Sequence, residues 1–135
     1  MIVVDASAVG TFLIPDEAGP FADFARRVCA TGTLHVPAHF AIEMANLLRK
    51  ARYRKRLTHE EALAAGMVAD SIAASMTVAT PLSVELVVRE SIALGLSAYD
   101  TGYFLLARSL GAQVLTDDGA LRRVSIAQGL QVALP

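Results

Sequence analysis

The sequence predicts an α/β fold, a three-layer α/β/α sandwich around a central, mostly parallel sheet of four to five strands. Three observations predict it. Short runs rich in Val, Ile and Leu, such as Ile2-Val3-Val4 and Val114-Leu115, recur with helix-length stretches between them, and parallel strands need crossovers of that kind. The runs do not alternate apolar with polar residues, and the chain is 54% hydrophobic with a mean hydropathy of +0.47, which suits strands covered on both faces. Acidic residues follow two of the runs, Asp5 after Val4 and Asp118 just past Leu115-Thr116. In an open α/β sheet, ligands bind outside the carboxyl ends of the strands.

Each element has a local reason. Strand one covers about residues 2 to 5, followed by a short helix near 7 to 13 and a second from about 17 to 30. Thr33 to Val36 is the next strand, and Pro37 breaks the chain before a helix beginning near Ala38. That helix carries Phe40, Met44, Leu47, Leu48 and Ala51 on one stripe. Glu43 lies about 60° round from Phe40 at roughly 100° per residue, beside the stripe and half buried. Thr58 followed by Glu61 is a capping box that opens a fourth helix. Met76 to Thr80 reads as a short strand, and Pro81 opens a helix ending near Gly95. Ser97 and Asp100 form a second capping box, Tyr99 to Leu110 a helix stopped by Gly111, and Ala112 to Thr116 a further strand. A last extended segment covers about Leu130 to Ala133.

At 135 residues the chain is a single domain, 1–135, able to bury roughly two-thirds of its unfolded surface. Its high apolar content also points to surface reserved for a partner. No apolar stretch approaches the length of a membrane span, and the opening Met-Ile-Val-Val-Asp reads as a first strand rather than a signal peptide. Cys29 is the only cysteine, which excludes a disulfide scaffold and a thiolate metal site and points to the cytoplasm.

The net charge of −1 conceals an asymmetry. Arg49, Lys50, Arg52, Arg54, Lys55 and Arg56 are half of the 12 basic residues, packed at the tip of a helical hairpin. The density suits a phosphate backbone, since each neutralised phosphate releases counterions. A solvated helix end is the plainer alternative.

Four acids stand at strand ends or within apolar helices: Asp5, Glu43, Asp100 and Asp118. Taken singly, Asp5 could only cap the following helix, Asp100 could only partner Ser97, and Asp117-Asp118-Gly119 could be a turn. Glu43 resists such a reading because Ile42 and Met44 beside it are apolar. Converging carboxylates raise one another's pKa unless a cation joins them. Hard oxygen donors without histidine or thiolate suit Mg²⁺, with Mn²⁺ as substitute, and such centres hydrolyse phosphodiesters with activated water.

Other chemistries find less support. Pro37 separates His35 from His39 and spoils a common face, His59 sits solvated in a first helical turn, and Ser7 has no histidine at a useful spacing. A glycine-rich phosphate loop with its lysine is absent. A phosphoacceptor receiver domain would need paired acids at the first strand and a late lysine, and a haloacid-dehalogenase-type phosphatase would need an aspartate where Ser7 stands.

Four segments in order resemble the motifs of the PIN-domain ribonucleases, and most closely the VapC-type toxins of type II toxin-antitoxin modules. They are Val4-Asp5-Ala6-Ser7-Ala8, Glu43-Met44-Ala45-Asn46, Ser97-Ala98-Tyr99-Asp100, and Leu115-Thr116-Asp117-Asp118-Gly119-Ala120-Leu121. The resemblance runs from end to end. It implies a PIN-like sandwich in which Asp5, Glu43, Asp100 and Asp118 form the catalytic, metal-binding centre. Its fourth motif places the acid two residues after Thr116, which selects Asp118 and leaves Asp117 in a supporting place. Ser7 and Thr116 would orient carboxylates or a water, and Asn46 would support Glu43 one turn on. It further implies Mg²⁺-dependent endonucleolytic cleavage of RNA and a small DNA-binding antitoxin as inhibitor, and apolar helix faces exposed on so small a domain favour a homodimer. A PIN-like module that binds RNA or protein without catalysis is the alternative. The chain departs from the family at Thr101-Gly102, where small helix formers such as alanine are common. Glycine there either weakens the turn or lets something approach closely.

Overall fold

A computed structural model describes residues 1–135. The elements run β1 (Ile2–Val4), α1 (Ala6–Leu13), a 3-10 helix (Pro15–Glu17), α2 (Pro20–Thr31), β2 (Leu34–Val36), α3 (Phe40–Tyr53) and α4 (His59–Ala73). They continue with β3 (Thr77–Val78), α5 (Val84–Leu94), α6 (Ala98–Leu110), β4 (Gln113–Leu115) and α7 (Gly119–Ala127). The four strands form one parallel sheet in the order β3-β2-β1-β4. Ile2 pairs with Leu34 on one side of β1, and Val4 pairs with Leu115 on the other. The chain therefore moves outward from β1 to β2 and β3 and returns to β4 across β1. The order reverses between β1 and β4, and the switch point lies at the carboxyl ends of those two strands.

Helices cover the sheet in two groups, giving the three-layer α/β/α sandwich. In one, α1 packs against α2, α3 and α4; in the other, α6 crosses β1 and β4 with α5 and α7 beside it. Val3, Val4, Val114 and Leu115 from the sheet are fully buried together with Tyr103, Phe104 and Leu121. Each such side chain contributes on the order of 1.5–3 kcal/mol by leaving water.

Several boundaries differ from the expected ones for local reasons. The helix expected over 17–30 divides, because Gly19 is extended (φ 167°) and Pro20 opens α2, leaving Pro15–Glu17 as a separate 3-10 turn. The helix expected from Pro81 begins at Val84, where the Ser83 hydroxyl accepts a hydrogen bond from the Leu86 N–H. The expected final strand is reduced to a parallel bridge between Val114 and Val132. The turn reading of Asp117-Asp118-Gly119 gives way to the start of a seventh helix, which the sequence reading did not anticipate. Asp118 caps it by accepting from the Leu121 N–H.

Candidate active site

Asp5 ends β1 and caps α1, and it is only 2% exposed. Two hydroxyls are aimed at its Oδ2: Ser7 Oγ donates at 2.5 Å and Thr116 Oγ1 at 2.6 Å. Those hydroxyls in turn accept main-chain hydrogen bonds, Ser7 from the Asp117 N–H at 3.0 Å and Thr116 from the Asp118 N–H at 2.9 Å. The loop after β4 is thus locked to the loop after β1 through Asp5. Arg122 adds a third tie by donating to the Thr116 carbonyl at 3.0 Å. Burial raises the Asp5 pKa above the ordinary carboxylate range; the two hydroxyls oppose that, and the charge of Asp118 adds to it.

Glu43 stands in the first turn of α3. Its Oε2 accepts a 2.7 Å hydrogen bond from the Tyr103 hydroxyl, which comes from the buried face of α6. Burial pushes Glu43 up to about 7; Tyr103 opposes the shift, while the charges of Asp5, Asp100 and Asp118 increase it. Asp100 lies in the first turn of α6, its N–H held by Ser97 Oγ at 3.0 Å. Burial raises its pKa too, with Asp118 and Asp5 adding to the effect. The four acids therefore share one electrostatic neighbourhood at the switch point, although Glu43 and Asp100 come from helices and only Asp5 and Asp118 follow strands.

No cation offsets this cluster. His39 Nε2 is 3.6 Å from Glu43 Oε2, but burial lowers the His39 pKa and favours the neutral ring. No three Asp, Glu, His or Cys side chains stand close enough to hold an ion among them. The donor set nevertheless fits a hard divalent cation. It is all carboxylate oxygen, its charges add to the raised proton affinities of Asp5, Glu43 and Asp100, and no basic side chain takes the cation's place.

The remaining predicted residues fall in three places. Asp117 is exposed, with Arg122 4.0 Å away. Asn46 is exposed and shares a hollow with Glu43 and Lys50; the hydrogen bond to Glu43 comes from Tyr103 rather than Asn46. Lys50, seven residues after Glu43, lies two turns further along the same helix face, about 10 Å at 1.5 Å per residue. Arg52, Arg54 and Lys55 are exposed at the hairpin tip, and Arg49 lies over the Tyr53 ring at 4.7 Å. Arg56 is committed elsewhere: it forms a bidentate pair with Asp16 at 2.8 and 2.6 Å and reaches Glu17 at 2.9 Å.

Tyr103 and Arg122 were not among the residues the sequence singled out, and His39 was weighed only as a metal partner of His35 and set aside. Tyr103 had one available signal, a polar-tipped aromatic one turn after Asp100 on the same helix face.

A mostly parallel sheet with an acidic centre at its switch point defines the class, and the PIN domain profile matches residues 2–127. The chain belongs to the PIN domain family. It is 31% identical over 121 residues to Ribonuclease VapC12 of Mycobacterium tuberculosis, in two strains, a match covering 90% of this chain and 89% of the relative. Two solved structures share the fold, each with a TM-score of 0.69. PAE2754 from Pyrobaculum aerophilum is 24% identical, covering 91% of this chain and 83% of its own. Mycobacterium tuberculosis VapC20, a Sarcin-Ricin loop cleaving toxin, is 22% identical over the full length of both chains.

Proposed function

We propose that this protein is a VapC-type toxin, a Mg²⁺-dependent endoribonuclease restrained by an antitoxin. The observation that carries the reading is the shared electrostatic neighbourhood at the switch point, in which Asp5, Glu43 and Asp100 have raised proton affinities, Asp118 adds its charge, and no side chain neutralises them. A ribonuclease relative of nearly equal length supports the choice of RNA.

In this reading the four carboxylates hold Mg²⁺, or Mn²⁺ in its place. The ion supplies charge neutralisation and activation of water at the scissile phosphate. Ser7 and Thr116 fix one oxygen of Asp5 by hydrogen bonding. Tyr103 does the same for Glu43 and selects the ionised carboxylate by donating to it. Lys50, which lines the same hollow as Glu43, is placed to hold an adjoining phosphate, and Arg49, Arg52, Arg54 and Lys55 extend that path to the hairpin tip. Arg56 shapes the tip through Asp16 and Glu17.

The partner readings have their own support. An apolar cleft of about 480 Å³ opens between Phe12, Leu13 and Pro15 on one side and Leu57, Ala65 and Val68 on the other, and suits an apolar segment of a small DNA-binding antitoxin. On α5, Val84, Val88 and Ile92 are exposed at helical spacing, which favours a homodimer. No helix is long and apolar enough to cross a membrane, and the single free cysteine accords with a cytoplasmic site of action.

The test is RNA cleavage by purified protein. Asp5→Asn and Asp100→Asn are expected to abolish it while retaining the fold, and Mg²⁺ should raise the Tm of the wild type by mass action but barely that of either variant. Cleavage by Asp5→Asn close to wild type would refute the metal centre.

A further inference from the structure

An aromatic relay connects the acidic centre to the surface. The Tyr103 hydroxyl binds Glu43, the His39 ring meets Tyr103 edge-on at 5.1 Å, and Tyr99 meets His39 edge-on at 5.8 Å. Tyr103 is fully buried, whereas Tyr99 is 58% exposed. The relay exists because residue 102 is glycine: a Cβ there would collide with the His39 ring. Asp100 follows Tyr99 directly, so the exposed ring is fixed on the same helical turn as a carboxylate of the centre.

Tyr99 walls a hollow of about 450 Å³ whose other lining includes Ile42, Glu43, Asn46 and Lys50. One side of the hollow is therefore the acidic centre and another is an aromatic ring. An ammonium and an exposed side-chain amide complete it. Ile42, 75% exposed, adds apolar surface with nothing over it. Stacking on an aromatic ring, amide contacts to a base edge and a lysine at phosphate are the means by which single-stranded RNA is held.

We propose that Tyr99 is the stacking platform for the nucleobase adjoining the cleaved phosphate, with Asn46 reading that base's edge and Lys50 holding its phosphate. The proposal rests on the ribonuclease reading and names the subsite through which the enzyme chooses its cutting position. His39 is a positioning residue that buttresses Tyr99 from behind.

The experiment measures kcat/KM for cleavage of short single-stranded RNA oligonucleotides with Mg²⁺, using substrates in which each nucleotide flanking the cut is in turn made abasic. Tyr99→Ala is expected to lose roughly 5- to 150-fold, the range for removing one base–aromatic stack, while Tyr99→Phe stays close to wild type. One abasic position should cost the wild type a similar factor and Tyr99→Ala almost nothing further. Asn46→Ala should narrow the preference among the four bases at that position. The Mg²⁺-induced rise in Tm should be the same in Tyr99→Ala as in wild type, which separates loss of stacking from damage to Asp100. Equal abasic penalties in wild type and Tyr99→Ala, or undiminished kcat/KM in Tyr99→Ala, would overturn the subsite and leave the ribonuclease reading intact. A wild type that cleaves none of the oligonucleotides would overturn the ribonuclease reading and the subsite with it.

Discussion

Glu43 is the residue at which the architecture acts most directly on chemistry. Its carboxyl is partly removed from water on α3, placed in the field of three other acids, and held by one donor, Tyr103. Its pKa rises from the ordinary 4.5 to about 7, so the metal-free fold binds more protons there than the unfolded chain does. The stability that protonated Glu43 gives is complete below about pH 4.5 and is lost as the pH rises through about 7. In chelator, the Tm of Glu43→Gln should therefore equal that of wild type near pH 4.5 and exceed it increasingly toward pH 7. Saturating Mg²⁺ should abolish the advantage of the variant, because the ion favours the ionised carboxylate. A pH-independent Tm difference in chelator would show that Glu43 does not carry this proton.

Among the elements, α6 joins fold to site most tightly, because its buried face supplies Tyr103 and Phe104 to the core while its first turn supplies Asp100. Gly102 sits in that helix at a conformational cost of roughly 1 kcal/mol relative to alanine, a cost that the space for His39 explains. Gly102→Ala should thus lower the Tm of wild type, yet raise it in a His39→Ala background where only the helix propensity remains. A change of the same sign in both backgrounds would sever the link between the two residues. The helix itself was legible because Ser97 and Gly111 mark its ends by unambiguous chemistry. In contrast, α7 was not legible, because an aspartate before glycine serves equally as a turn and as a helix cap. Which one forms depends on Leu121 reaching the core, where it is fully buried. The supports of the centre were hidden for a related reason. Tyr103 and Glu43 are 60 residues apart, and Thr116 and Asp5 are 111 apart, so no local pattern joins them. Asp5 and Asp118 stood out because each follows an apolar run at a strand end, and Glu43 because Ile42 and Met44 beside it are apolar, whereas Asp100 reads locally as the capping partner of Ser97 and joins the set only through the family resemblance.

Across the whole molecule, three surfaces of different character are kept apart: the acidic centre at the switch point, the basic tip of the α3–α4 hairpin, and the apolar cleft between α1 and α4. In the proposed ribonuclease, RNA is held at the basic tip by charge and reaches the acidic centre through the cation that the carboxylates would hold. The cleft, with Arg26 and Glu61 beside its apolar lining, offers nothing to a polyanion and suits a protein segment. Inhibition and catalysis should therefore be separable by substitution. Val68 lines the cleft and is 49% exposed, so Val68→Glu puts a charge into the apolar contact without opening a cavity in the core. The variant should melt close to wild type and cleave RNA as wild type does, since Asp5, Glu43, Asp100 and Asp118 are untouched. Burying an unpaired carboxylate beneath an apolar segment is strongly unfavourable, so an antitoxin that docks in this cleft should lose its hold. Growth arrest on expression of Val68→Glu should then persist when that partner is co-expressed, whereas the arrest caused by wild type should be relieved. If the partner rescues both proteins equally, it binds elsewhere, and the cleft is not the inhibitory surface. If wild type expressed alone in its own host causes no arrest and the partner neither binds nor inhibits it, the toxin role fails even where RNA cleavage is intact.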